Sequence, residues 1–225
     1  VKQQSTGSPK LAAPQSVVRE SNLVTRRPLD ETSSQEQAQV PSVDLHEVPP
    51  LRFPGAFGDV DSNSPAHWDG NTLYLFNSTL TGIFRSSGPD VFHLKNDPKP
   101  VEFTNNPELQ RGTWIEATLK DGPVLYGWYH REPGGLFPDI KRAQELTAPR
   151  IGFAKSFNNG RTWQDGGIII DAPAESFDTN TENMYFAGGN GDFSAILDEQ
   201  KDYFYFFLTS YHKDIAQPVI TVARI

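Results

Sequence analysis

Three short stretches of this chain place carboxylates where a folding strand has little structural use for them. "GDVDSNSPAHWDG" sets Asp59, Asp61 and Asn63 ahead of an Asp69-Gly70 turn, "TWIEATLKDG" sets Glu116 ahead of Asp121-Gly122, and "NGDFSAILDE" sets Asp192 ahead of Asp198-Glu199. An acid recurs five to eight positions before the turn in each stretch. If the stretches are structural equivalents, Asp61, Glu116 and Asp192 converge on one pocket, where mutual repulsion raises some of their pKa values. A carboxyl that keeps its proton beside one that has lost it supplies an acid and a base together, as cleavage of a glycosidic bond requires. Asp61, Glu116 and Asp192 are therefore the candidate catalytic acids.

Glu116 is the most telling of the three. It is flanked by Trp114, Ile115 and Ala117, and an unpaired carboxylate buried among apolar groups costs several kcal/mol. Asp59, Asp61 and Asn63 also fit turn caps, and Asp192 sits in the turn-forming run "GGNGD". Candidate substrate-binding groups surround the acids: Asp59, Asn63, His67, Trp114, His130 and His212. The histidines lack close metal-ligand spacing such as His-x-x-x-His, so hydrogen bonding at strand ends is expected of them, without metal or other cofactor. Trp68, Trp114 and Trp128 fit a sheet core, whereas a sugar-stacking Trp would stand at a pocket rim; Trp114, beside Glu116, is the candidate for that role.

The elements that must position these groups repeat. From residue 64 onward, short aromatic and β-branched runs alternate with Gly, Asp, Asn and Pro, the pattern of an all-β protein. "SPAHWDGNTLYLFNS" followed by "GIFRSSG", "WIEATLKDGPVLYGWYH" by "RIGFAKSFNNGRTW", and "DFSAILDEQKDYFYFFLTSYH" by "VITVARI" form one unit written three times. Each has an inner strand, a polar turn, an aromatic second strand and a third strand ending in a basic residue. Repeats of about 50 residues built from antiparallel strands are blades of a β-propeller, whose first strands line the axis. Propellers close with about four to eight blades, so the expected fold is a partial β-propeller of three blades, cut from a longer ring of five. A three-unit β-sandwich is the competing architecture. The segment from 131 to 149, rich in Gly and Pro, is long enough to cover a pocket.

Residues 1 to 48 read differently. They contain no aromatic residue and are rich in Ser, Gln, Pro and Glu, a composition that cannot offset its ordering entropy; a disordered tail or linker is expected, with the domain at 49 to 225. The net charge of -8 speaks against a nucleic-acid partner. No apolar run approaches the roughly 20 residues of a membrane span. The chain has no Cys and begins with Val, so an export signal could have been removed, and a secreted or periplasmic location is expected.

With these residues assembled, the chain resembles the five-bladed β-propeller glycosidases, the group of arabinanases, β-xylosidases and invertase-like enzymes. "SPAHWDGNTLYLFNST" is similar to their opening strands, "RIGFAKSFNNGRTWQDGGIII" to their third-to-fourth strand passage, and "GDFSAILDEQKDYFYFF" to a later blade opening. The resemblance implies a hydrolase acting on an oligosaccharide or polysaccharide, with one acid from each of three blades: Asp61 (or Asp59), Glu116 and Asp192. It departs from the family where Asn63-Ser64 stands in place of an Asp before Pro, and in the order Asp, Glu, Asp. "SFNNGRTW" is similar to the Asp-box of sialidases, with Asn158 at the Asp position, and "LRFPG" faintly resembles their first arginine motif, at Arg52. A sialidase-like exo-glycosidase and a non-catalytic carbohydrate-binding or interaction propeller are the alternative readings.

Overall fold

A computed structural model describes residues 44–45, 47, 60–141, 145–182, 185–215 and 217–225. The chain divides after Val48 into two units, the second being Pro49–Ile225. The expectation of disorder over residues 1 to 48 lies almost wholly outside the described residues, as do the positions of Asp59 and Arg52.

Among the described residues of the second unit, the strands form three sheets, each built on an antiparallel meander, in the manner of partial propeller blades. The first sheet runs β1 (Ala66–Asp69), β2 (Thr72–Thr79), β3 (Gly82–Gly88) and β4 (Lys95–Asn96), in that spatial order. The second gathers β5 (Glu102–Phe103), β6 (Thr113–Asp121), β7 (Val124–Arg131), β8 (Arg150–Ser156) and β9 (Thr162–Ile170). Its order is β5-β9-β8-β7-β6, with β5 parallel to β9 on the edge. The third is β10 (Gly189–Leu197), β11 (Phe204–Tyr211) and β12 (Val219–Arg224). Strand β6 touches both β1 and β10, so the strands that open the three meanders are neighbours, as the expected architecture requires.

Turn chemistry fixes the register. The β1-β2 and β6-β7 hairpins close over two residues, Gly70-Asn71 and Gly122-Pro123, between the pairs Asp69↔Thr72 and Asp121↔Val124. The tight turn expected at Asp198-Glu199 is instead a loop over 198–203, between Leu197 and Phe204. The Asp198 carboxylate closes it by accepting the N–H groups of Asp202 and Tyr203.

Two apolar interfaces hold the sheets together. Between the first and second lie Phe76, Ile83, Ile115, Leu125, Tyr129 and Trp163; between the second and third lie Trp128, Ile151, Phe193, Phe206 and Leu208. Alternation along β7 serves both, Leu125 and Tyr129 facing one way and Trp128 the other. Trp68 departs from the core expected of it and is 54% exposed. The turn before Trp163 is closed by side chains. Asn158 Oδ1 accepts from Ser156 Oγ and from the Thr162 N–H, and Ser156 Oγ accepts the Gly160 N–H. Gly160 has φ of 78°, and a Cβ there would stand 2.2 Å from Phe76 Cζ, so only glycine lets Trp163 and Phe76 meet, 5.7 Å between ring centres.

The segment 131–149 is anchored near its end. Leu146, Thr147 and Ala148 are buried, Thr147 pairs with Phe186, and its hydroxyl donates to the Pro133 carbonyl at 2.8 Å.

Candidate active site

Strands β6 and β10 carry the same irregularity at the same place. In β6, Ile115 opposes Tyr129 and Ala117 opposes Trp128, leaving Glu116 unopposed. In β10, Gly191 opposes Thr209 and Phe193 opposes Leu208, leaving Asp192 unopposed. Each acid is the fourth residue of its strand and the extra residue of a β-bulge, a device that re-aims one side chain out of the ladder. The cost is visible at Asp192, whose φ of 29° is left-handed, a conformation Asp tolerates better than most residues.

The two bulges aim their carboxylates at one imidazole. His130, from the end of β7, is buried and lies opposite Trp114 in the ladder, whose ring centre is 5.3 Å from its own. Its Nδ1 is 3.4 Å from Glu116 Oε1 and 3.4 Å from Asp192 Oδ1, and its Nε2 is 3.5 Å from Glu132 Oε1. These are ion-pair rather than aligned hydrogen-bond distances. The other oxygen of Glu116 accepts the Phe193 N–H at 2.6 Å, stitching β6 to β10.

The electrostatics follow from one imidazole among three carboxylates. Burial works against a charge on His130, but its contacts with Asp192 and Glu116 and the charges of Glu116 and Glu132 outweigh it and raise the ring to about 9. The ring is therefore an imidazolium at neutral pH. Its contact and charge hold Asp192 below the usual carboxylate range against some desolvation. Glu132 is pushed up, first by burial and then by Asp192, Asp61 and Glu116, with His130 opposing. Tyr211 is raised by burial and by the charges of Asp192 and Glu132. Glu116, His130 and Asp192 offer ligand atoms within 4.8 Å of one another, a spacing that would admit a cation. A cation there would take the place of the proton on the ring.

A cavity of about 390 Å³ opens beside the cluster, lined by Ser62, Asn63, Glu116, Asp192, Phe207 and Ile220 among others. Asn63 reaches it, but its amide donates to the Phe193 carbonyl at 2.8 Å, which docks the opening segment onto β10. Asp61 is exposed; its backbone N–H bonds the Ser78 carbonyl, and its charge acts on Glu132.

Three expected binding residues stand elsewhere. Trp114 is buried beneath His130, a packing role rather than a stacking rim. His67 is buried between Tyr74 and Phe76, 5.2 and 5.9 Å from their ring centres. Burial lowers its pKa to about 4, and Asn159, Lys120 and Asp69 are its polar neighbours. His212, exposed, faces Asp214 at 3.5 Å and lines a different cavity with Asp178 and Lys213. Glu132 and Tyr211 were not expected. Glu132 follows His130 by two residues, and its N–H still bonds across to Gly112, so period-two reading of "YHRE" past the strand end was the available signal.

No family model and no curated protein matches the chain. Among solved structures it is similar to an exo-beta-1,3-galactanase from Clostridium thermocellum, at 15% identity and a TM-score of 0.43 over 69% of this chain and 35% of that one. It is similar also to an exo-beta-1,3-galactanase from Phanerochaete chrysosporium with galactose, at 11% identity and a TM-score of 0.46, over 74% of this chain and 35% of that one. An exo-1,5-alpha-L-arabinanase from a bovine ruminal metagenomic library gives 14% identity and a TM-score of 0.44, over 72% of this chain and 52% of that one. The chain thus spans about a third of the length of the galactanases and half that of the arabinanase.

Proposed function

We propose that this chain carries the acid–base site of a glycoside hydrolase-like propeller acting on an oligosaccharide or polysaccharide. The observation that carries the reading is the convergence of carboxylates from β6, β10 and the end of β7 on a buried imidazolium beside an open cavity. Environments that drive carboxyl pKa values in opposite directions divide acid from base, and here Asp192 is driven down while Glu132 is driven up. In this reading a protonated carboxyl supplies the leaving oxygen with its proton, and Asp192, ionised and facing solvent, activates the attacking group. Work on a polymeric carbohydrate fits a secreted or periplasmic protein.

The test is release of reducing ends from a panel of oligosaccharides and polysaccharides by the full-length protein and its Asp192→Asn variant. Hydrolysis that falls by about 10²-fold or more in the variant, the usual weight of a general acid or base, supports the site. Hydrolysis left intact by this change would remove it. A second reading, a non-catalytic carbohydrate-binding propeller, draws on Glu116, whose Oε2 is held by the Phe193 N–H and whose Oε1 faces the His130 ring. It predicts sugar binding by calorimetry with no bond cleavage.

A further inference from the structure

We infer that Glu116, His130 and Asp192 form a binding site for a zinc ion, held by Glu116 Oε1, His130 Nδ1 and Asp192 Oδ1. The inference goes beyond the hydrolytic reading and does not rest on it, since a bound ion is measured without turnover.

Spacing comes first. His130 Nδ1 stands 3.4 Å from Glu116 Oε1 and 3.4 Å from Asp192 Oδ1, and the three atoms all lie within 4.8 Å of one another. Bonds of about 2.0–2.2 Å meeting at a tetrahedral angle set neighbouring ligand atoms about 3.3–3.6 Å apart. The two measured edges are therefore those of a tetrahedral ion. Right angles at the same bond lengths would bring the atoms to about 2.8–3.1 Å. The third edge, at most 4.8 Å, closes through Asp192, whose side chain is 63% exposed and has room to turn.

An unmet acceptor points the same way. The Glu116 side chain is 1% exposed and its Oε2 accepts the Phe193 N–H, but among the described residues no hydrogen-bond donor meets its Oε1. A buried polar atom left in that state is costly. One proton on Nδ1 cannot serve both carboxylates, since each lies beyond the usual reach of an N–H···O bond. An ion bonds both oxygens and the ring nitrogen at once. Two carboxylates and a neutral imidazole around a divalent cation carry no net charge, which suits a buried place. Without the ion the ring holds a proton there instead.

The groups behind the ligands complete the case. A metal-bound imidazole gives its other N–H to a carboxylate, and ligand carboxylates are themselves hydrogen-bonded. His130 Nε2 faces Glu132 Oε1 at 3.5 Å, Trp114 packs against the ring, and the Phe193 N–H orients Glu116. The cavity lined by Glu116 and Asp192 admits water to the fourth position, as in zinc sites with three protein ligands. Calcium, which takes about six to eight oxygen ligands, does not match a set of three that includes a nitrogen.

The experiment strips the full-length protein with EDTA and titrates it calorimetrically with ZnCl2, beside Glu132→Ala and Asp192→Asn, with circular dichroism as the control for folding. Wild type is expected to take up one equivalent of zinc and to unfold at a higher temperature with it. Glu132→Ala, which loses only the carboxylate behind the ring, is expected to bind about 10- to 100-fold more weakly. Asp192→Asn loses a ligand and is expected to bind more weakly still; Asn tolerates the left-handed φ of 29° at that position, so the variant folds. Co²⁺ in place of zinc is expected to give the intense visible absorption of tetrahedral coordination in wild type and to lose it in Asp192→Asn. No uptake by wild type at millimolar ZnCl2 overturns the site, as does uptake equally tight in Asp192→Asn and wild type. CaCl2 that displaces zinc at equal concentration overturns the choice of ion.

Discussion

His130 ties the stability of this fold to pH, and the sign of the effect is fixed by its surroundings. The ring is raised to about 9 in the folded protein against an ordinary value of about 6.5 in the unfolded chain. Below pH 6.5 both states hold the proton and the full contribution is present. Between pH 6.5 and 9 the folded state keeps a proton that the unfolded state has released, so stability declines by about 1.4 kcal/mol per pH unit. Over that window the loss amounts to about 3 kcal/mol, a large share of the 5–15 kcal/mol typical of a domain, and above pH 9 it is complete. Urea unfolding followed between pH 6 and 10 measures the decline. The Cε1 proton resonance of His130, identified among the five histidines by its absence from a His130→Gln variant, measures the cause. A His130 ring that titrates at or below pH 6.5 would refute the reasoning, since it would mean that burial outweighs the three carboxylates.

Two further outcomes are expected. Glu116→Ala removes a partner of the buried imidazolium and the acceptor of the Phe193 N–H, and is expected to lower unfolding free energy by about 3–5 kcal/mol, as breaking a buried pair does. Chemical denaturation at pH 6, where His130 is charged, reads this loss. Asn158→Ala opens the turn before Trp163 and is expected to cost about 1–3 kcal/mol through donors left unpaired, whereas Asn158→Asp keeps the acceptor that serves Ser156 and Thr162 and should lie within about 1 kcal/mol of wild type by the same measurement.

The sheets were legible because their signals are local. Alternation along "LYLF" and "VLYGWYH", with Gly between polar residues at the turns, fixes strand and hairpin before any tertiary contact forms. Glu116 was legible for a related reason, as an acid in an apolar strand that must find a partner. The partner itself was not. Period-two reading places His130 at a strand end without saying that Glu132, just past that end, shares its surroundings, because that depends on how β10 docks. His67 was misplaced by the same limit: its strand position matched a pocket, but the packing of Tyr74 and Phe76 turned it into a wall. Trp68 failed in the other direction, since residue type favours a core and only the arrangement of sheets leaves that face of β1 in water. The six-residue loop at 198–203 was shortened in expectation because an acid before a turn looks the same whether it begins two residues or six.

The paired bulges also act as phase changes. Ahead of Glu116 the odd-numbered Ile115 packs toward the first sheet, and after it the odd-numbered Ala117 and Leu119 pack toward the third. One added residue switches the neighbour that the strand addresses, and the acid is the residue at which the switch occurs. Without it Ile115 and Ala117 would follow one another in an unbroken ladder, still opposite Tyr129 and Trp128 and still on their present faces. Deleting Glu116 therefore removes the acid and leaves both faces of the inner strand in place, whereas deleting a paired residue further along β6 would exchange them.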